Sequence, residues 1–306
     1  MDSDGLVRST DLWFDDGTIV LQVETTLYRV YRGLLSSRSA VFRDTFSIPQ
    51  PAEDGAGEIE GCPVVRLHDR EKDFTRFLKA LFHCGSHKTC AVTGIYELRS
   101  VLRLSDKYDV PLLRESMISI LSDVYPSCLD EWLTRSTRVP SGYRATARDC
   151  IHVLNVAQEM DICGILPGVM YQICRRHDIS EILYGVPARP RDIKISRSED
   201  QKRCAVAIPE LISSRHRILT HYLMRNEHGG CEDEAVCDAE RLRWLGLDYP
   251  ADDLFDPLAD EIPWEDFDVC SSCLEDAKET YTLDREDLWR DLPRIFDLGT
   301  WTDLLA

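Results

Sequence analysis

Asp11 to Phe46 reads DLWFDDGTIVLQVETTLYRVYRGLLSSRSAVFRDTF, and the fold turns on it. Asp15-Asp16-Gly17 is a turn signal. Thr18 to Glu24 is rich in β-branched residues, Thr25-Thr26 breaks the run, and Leu27 to Arg32 is a second run of the same kind. Two β-rich runs across a short polar break predict a hairpin. The spacing then changes. Leu34, Leu35, Val41, Phe42, Thr45 and Phe46 recur at near-helical intervals, and Pro49 and Pro51 stop the pattern. The order predicted is hairpin, then helix.

Residues 47–61 read as a loop, Cys62 to Leu67 as a strand, and Asp69 or Asp73 is placed to cap the next helix. Phe74, Phe77, Leu78, Leu81 and Phe82 mark one face of that helix, which ends at Cys84-Gly85-Ser86. Leu34, Leu35, Phe42, Phe46, Phe74, Phe77, Leu78 and Leu81 are therefore expected to share one core. Ile95 to Tyr108 gives another helix, and Pro111 opens a further one through Val124, at a position where its missing N–H costs nothing.

The order from 18 to 125 resembles the BTB/POZ domain, a protein-interaction module. The resemblance rests on the aspartate-glycine turn and on Tyr28, Val30, Tyr31, Leu34 or Leu35, Ser39 and Phe42, which match that family's strand-to-helix pattern. Asp44 and Ser47-Ile48-Pro49-Gln50-Pro51 resemble the version found in basidiomycete fungi. The family's histidine and phenylalanine positions are Tyr31 and Tyr28 here. The expectation is an α+β fold: a BTB/POZ domain at 11–126, a helical extension similar to the BACK type at 127–226, and an acidic C-terminal region with a terminal helix at 227–306. The resemblance implies a non-enzymatic module that self-associates, with a cullin-type ubiquitin-ligase adaptor or a transcription-associated scaffold as the alternative. No kelch repeat, zinc finger or MATH domain identifies a client.

The second region echoes the first. A shift of 52 places Val101 on Val153, Leu102 on Leu154, Leu104 on Val156, Asp109 on Asp161, Val110 on Ile162 and Leu113 on Ile165. Two helical hairpins produce such a match whether or not they descend from a repeat. Pro187 to Arg197 reads as a linker, and Cys204 to Leu223 as a helix. Pro187 to Arg225 holds nine Arg or Lys and four Asp or Glu, which reads as a solvated face in preference to a basic binding patch, given the acidic whole.

Between Glu232 and Asp268 there are 14 acidic residues against Arg241 and Arg243 only, so two-thirds of the net charge of −18 lies there. Trp244, Leu245, Leu247, Leu254, Phe255, Leu258, Trp264 and Phe267 are interspersed, which suggests an extended strap lying on a domain or on a partner. Asp284 to Leu305, with Trp289 and Trp301, reads as a docked helical end.

These numbers exclude several functions. A charge of −18 argues against nucleic acid and against an anionic membrane surface. No apolar run reaches the roughly 18 residues of a membrane span, and the first residues carry no secretory signal. Twelve cysteines scattered through such a chain suggest reduced thiols in an intracellular setting, cytoplasm or nucleus. No nucleophile elbow or phosphate loop is present, and His68, His83, His87 and His152 sit at element ends or in helix patterns, so neither a catalytic site nor an obligate cofactor is expected. The metal candidates are Cys270 and Cys273, a C-x2-C pair, with Cys231, Cys237 and His228 upstream. The upstream spacing is wider than a zinc knuckle, so free thiols are the default expectation. Trp13, Phe14, Leu21 and Tyr31 are the expected contact surface for a partner copy: Trp13 and Phe14 precede the hairpin and have no obvious internal partner, unless Trp13 packs back on the Phe77 helix.

Overall fold

The predicted hairpin is present. Strand β2 (Ile19–Val23) pairs antiparallel with β3 (Thr26–Val30), turning at Glu24 in the left-handed region. The computed structural model describes residues 5–48, 57–83, 92–138, 143, 146, 148–224, 230–246, 256–259 and 262–306. Pro49 to Ala56, Cys84 to Ser86, His87, His228, Leu247, Leu254, Phe255 and the Asp252-Asp253 and Asp260-Glu261 pairs lie outside the described residues, and with them the readings placed there. The chain is α+β and divides into two units, residues 1–124 with 136–145, and residues 125–135 with 146–306.

In the first unit the sheet has five strands in the order β1-β3-β2-β5-β4. Strand β1 (Val7–Trp13) runs parallel to β3, and β5 (Cys62–Leu67) runs parallel to β2. The short β4 (Glu58–Ile59) pairs outside β5, within the stretch expected to be all loop. Two further points correct the sequence reading. Trp13 belongs to a strand that pairs with the hairpin, which the polar sequence VRSTD hides. The first helix is two, α1 (Arg32–Arg38) and α2 (Ala40–Ser47), broken at an extended Ser39. Ser39 is buried, accepts from Phe42 N at 3.0 Å as the N-cap of α2, and donates its hydroxyl proton to the Tyr108 carbonyl.

Helices α3 (Glu71–His83), α4 (Ile95–Lys107) and α5 (Pro111–Val124) complete this unit. Leu35, Phe42, Phe74, Phe77, Leu78 and Leu81 are buried as expected, whereas Leu34 and Phe46 are only half-buried. Tyr108 stacks between Phe42 and Phe77, centroids 4.5 and 5.6 Å away. Neither proposed α3 cap has that role. Asp69 accepts from Lys107 and Tyr108, Asp73 accepts from Ser100, and the Glu71 amide donates to Glu24 at 3.3 Å.

The second unit is helical: α6 (Leu129–Arg138), whose last residues count with the first unit, α7 (Asp149–Glu159), α8 (Leu166–Arg176), α9 (Ile179–Tyr184), α10 (Ser198–Met224), α11 (Glu234–Leu245), α12 (Ser271–Ile295) and α13 (Trp301–Leu305). The 52-residue echo extends to the backbone. Asp109 and Asp161 both adopt positive φ, at 49° and 54°. Tyr108 N bonds Leu104 O and Val110 N bonds Ser105 O, while Met160 N bonds Val156 O and Ile162 N bonds Ala157 O. Each is the left-handed helix end with paired capping bonds that turns one helix into the next.

Pro187 to Arg197 is a loop closed by a bridge between Val186 and Ile193, not a linker, because Asn155 holds it through Lys194 O and Ser196 N, each at 2.8 Å. Helix α10 begins at Ser198, before the expected Cys204. The docked C-terminus is as expected. Trp289 stacks on Trp301 at 5.6 Å and lies 5.2 Å from Trp132, and its indole donates to Ser127 O.

Candidate metal centre

Cys231 and Cys237 lie around the start of α11, and Cys270 and Cys273 around the start of α12. Asp233 caps α11 by accepting from Val236 N at 3.1 Å, which fixes where the helix begins and places Cys237 on its first turn. Cys231 lies just before it, after Gly230, whose φ of +98° favours glycine. Cys270 is the N-cap residue of α12, so Cys273 falls one turn in. Five intervening residues make a poor knuckle in an extended chain. A loop leading into a helix folds that spacing back on itself, so the four thiols expected to be free are brought into one cluster that could hold a metal ion. The four sulfurs lie within 4.8 Å of one another, Cys237 and Cys273 buried, Cys231 and Cys270 half-buried.

The segment Glu232 to Asp268 was expected to be a strap, and part of it is instead helix α11. The reason is local capping plus one aromatic contact. Trp244 is buried at 4.9 Å from Phe267, and its indole donates to Glu240 at 2.9 Å. The Glu240 carboxylate also accepts from Arg243 and from Asp268 N, which holds its pKa below the usual range. Residues 256–259 do behave as a strap. Asp256 pairs with Arg175 at 2.6 Å, Leu258 N bonds Tyr171, and Leu258 O accepts from Arg285. Asp256 and Glu240 thus find cations and donors of the same unit.

Chemically, four thiols this close suit a tetrahedral metal. Zinc binds thiolate at about 2.3 Å, which sets sulfurs about 3.8 Å apart in a tetrahedron. Cys231 and Cys270 sulfurs are 4.0 Å apart. Donors already face the sulfurs: Cys270 N donates to Cys237 Sγ at 3.4 Å, and Arg241 Nη2 to Cys273 Sγ at 3.0 Å. Backbone donors of Glu232 and Cys273 bring the Cys270 thiol down to about 6, whereas burial raises Cys237 and Cys273. All four residues were named by the sequence. Arg241 was not, because only the fold brings it beside Cys273.

The expected contact surface fares differently. Leu21 is fully buried in the central strand β2 and is withdrawn as a surface residue. Trp13 and Phe14 are half-buried and do have internal partners. Trp13 packs against the buried cluster formed by Val20, Leu27, Cys62 and Val64, under the Arg8 guanidinium at 4.6 Å. Phe14, not Trp13, reaches α3: it stacks on Tyr31 at 5.1 Å and lies 5.6 Å from Phe82. Tyr31 is half-buried, and its hydroxyl donates to Asp16 at 2.7 Å.

One further constellation escaped the sequence. His177 lies 3.6 Å from Cys150 Sγ and 3.0 Å from Glu181, an order that resembles nucleophile, base and orienting acid. Cys150 is only 1% exposed, however, and burial pushes its thiol up to about 12. A reactive cysteine needs access and a depressed pKa, and this one has neither. The described residues form no helix long and apolar enough to cross a membrane. No protein-family model and no curated protein matches the chain.

Proposed function

We propose that the chain is a non-enzymatic protein-interaction protein: a BTB/POZ module followed by a BACK-like helical extension and an acidic C-terminal region closed by one structural zinc ion. The observation that carries the zinc is the convergence of Cys231, Cys237, Cys270 and Cys273 within 4.8 Å from the starts of two helices. When bound, zinc would tie α11 to α12 and so contribute to folding of the acidic region, as structural zinc does in small domains. Reduced thiols fit the cytoplasm or nucleus.

What supports the BTB reading is the order of the first unit: hairpin, paired short helices, a strand returning parallel to the first hairpin strand, then three helices. Ser39 and Phe42, two residues of the resemblance, are the cap and the buried anchor at the start of α2. Strand β1 is at the sheet edge with Val7 61% exposed, and an open edge is a template for pairing. The proposed partner is a second copy, engaged through β1 and the first helices. Two chains of −18 repel, so salt should favour the dimer.

Light scattering behind size exclusion tests the self-association. A mass of twice 35.1 kDa at tens of micromolar supports it. A monomer at moderate salt removes it and leaves the hetero-partner reading, a cullin-type adaptor, to be sought by affinity purification. Metal analysis of the reduced protein tests the zinc. One ion per chain, lost in a Cys270→Ser/Cys273→Ser variant, supports it, and metal-free folded protein refutes it.

A further inference from the structure

Four thiolates around Zn2+ carry a net charge of −2, and the first unexplained fact about this cluster is that a guanidinium is buried beside it. Arg241 is 4% exposed. It lies four residues after Cys237, hence on the same face of α11, and reaches across to Cys273 of α12 with Nη2 3.0 Å from Sγ. Its other amino group donates to Asp238 at 2.6 Å.

The Asp238 pair alone is a poor reason to bury an arginine, because that carboxylate side chain is 65% exposed and an exposed partner contributes little. A neutral thiol is a weak acceptor and compensates a buried cation badly. A metal-bound thiolate is a charged acceptor and compensates it well. The geometry therefore suits an anionic sulfur at Cys273.

We infer that Arg241 is a positioning residue of the zinc centre. Its fork, anchored on Asp238 through one amino group, sets a positive charge directly against the Cys273 thiolate. The inference rests on the zinc reading proposed for these four cysteines. Its consequence is chemical. A thiolate that accepts a hydrogen bond from a cation is a weaker nucleophile and holds its charge at lower energy, so the centre is protected from alkylation and metal loss. Arg241 thereby makes the cluster structural and not reactive. Burial also shields Cys237, while half-buried Cys231 and Cys270 are the sulfurs left for electrophiles to reach first.

The test uses the full chain loaded with zinc, with Arg241→Met as the neutral variant of similar bulk and Arg241→Lys as the conservative one. Three quantities are read: zinc affinity by chelator competition, the rate at which iodoacetamide alkylates the folded zinc form, and the sulfur-to-metal charge-transfer band of the Co2+ form. Arg241→Met is expected to lower zinc affinity by about 10- to 100-fold, the range for partners that orient metal ligands. It should also speed alkylation and move the band to longer wavelength, with Arg241→Lys in between. The band reports the sulfur donor directly, so a loss of packing alone does not move it. If Arg241→Met fails to fold, Arg241→Lys decides, because a lysine cannot fork between Asp238 and Cys273. A wild-type alkylation rate and band position in the folded variants overturn the role of Arg241. Absence of zinc or Co2+ binding by the wild-type chain overturns the zinc reading instead, and the two failures appear in different proteins.

Discussion

Replacing Ser39 by alanine should destabilise the first unit by about 2 kcal/mol, although it removes one oxygen. The magnitude has two parts. Ser39 Oγ accepts from Phe42 N as the cap of α2, and losing such a cap costs about 1 kcal/mol. The same hydroxyl donates to the Tyr108 carbonyl at the end of α4, in a site where Ser39 is 1% exposed, and that bond contributes about 1 kcal/mol. Alanine provides neither. Aspartate provides the first only, and sets a carboxylate against a carbonyl oxygen, so it should be worse than alanine. Threonine keeps the hydroxyl and should be mildest. Hydrogen exchange on the intact chain reads the effect, because the two units need not unfold together. Amides of β2, β3 and α4 should open about 30-fold more often in Ser39→Ala, the equivalent of about 2 kcal/mol. A change below about 0.5 kcal/mol, or an aspartate milder than alanine, would refute the dual role and remove the physical reason for a serine at this point of the pattern.

Other substitutions test the two cores. Phe77→Ala, fully buried against Phe74 and Tyr108, should cost about 3–5 kcal/mol in a denaturant titration, and less than about 0.5 would place it outside the core. Leu21→Ala should cost about 2–5 kcal/mol by the same assay, and a folded variant of wild-type stability that only loses self-association would return Leu21 to the surface. Trp289→Ala should free the C-terminal helix, seen as faster exchange and proteolysis near Trp301, because it removes the stacking on Trp301 and the tilted ring contact with Trp132. Zinc affinity should fall as pH falls below neutral, since protons compete for the thiolates, and chelator competition that is flat between pH 8 and about 6 would argue against thiolate ligands.

Alternation and helical spacing are local signals, and what they encode was legible: the hairpin, the buried face of α3, the Pro111 start of α5 and the docked tryptophans. Strand β1 was not legible, because VRSTD is polar and lies at a sheet edge, with no apolar alternation to mark it. The division between α1 and α2 turns on a tertiary acceptor, the carbonyl of Tyr108, that lies 69 residues away. The four cysteines were each visible, but the Cys231–Cys237 spacing looks unfavourable until the loop and cap at Asp233 fold it. Helix α11 was hidden under its own acidity. Glu240 holding Arg243 and Trp244 is a local contact at three and four residues' spacing that the charge count obscured, whereas Arg241 meeting Cys273 spans 32 residues and has no local signature.

The zinc ion proposed on the four cysteine sulfurs is tested without intermediaries by zinc K-edge X-ray absorption of the purified, reduced chain. A single shell of four sulfur scatterers at about 2.3 Å is expected, reduced in number when Cys270 and Cys273 are changed to serine. A shell of nitrogen or oxygen at about 2.0–2.1 Å, or protein that folds with no zinc to measure, would contradict it.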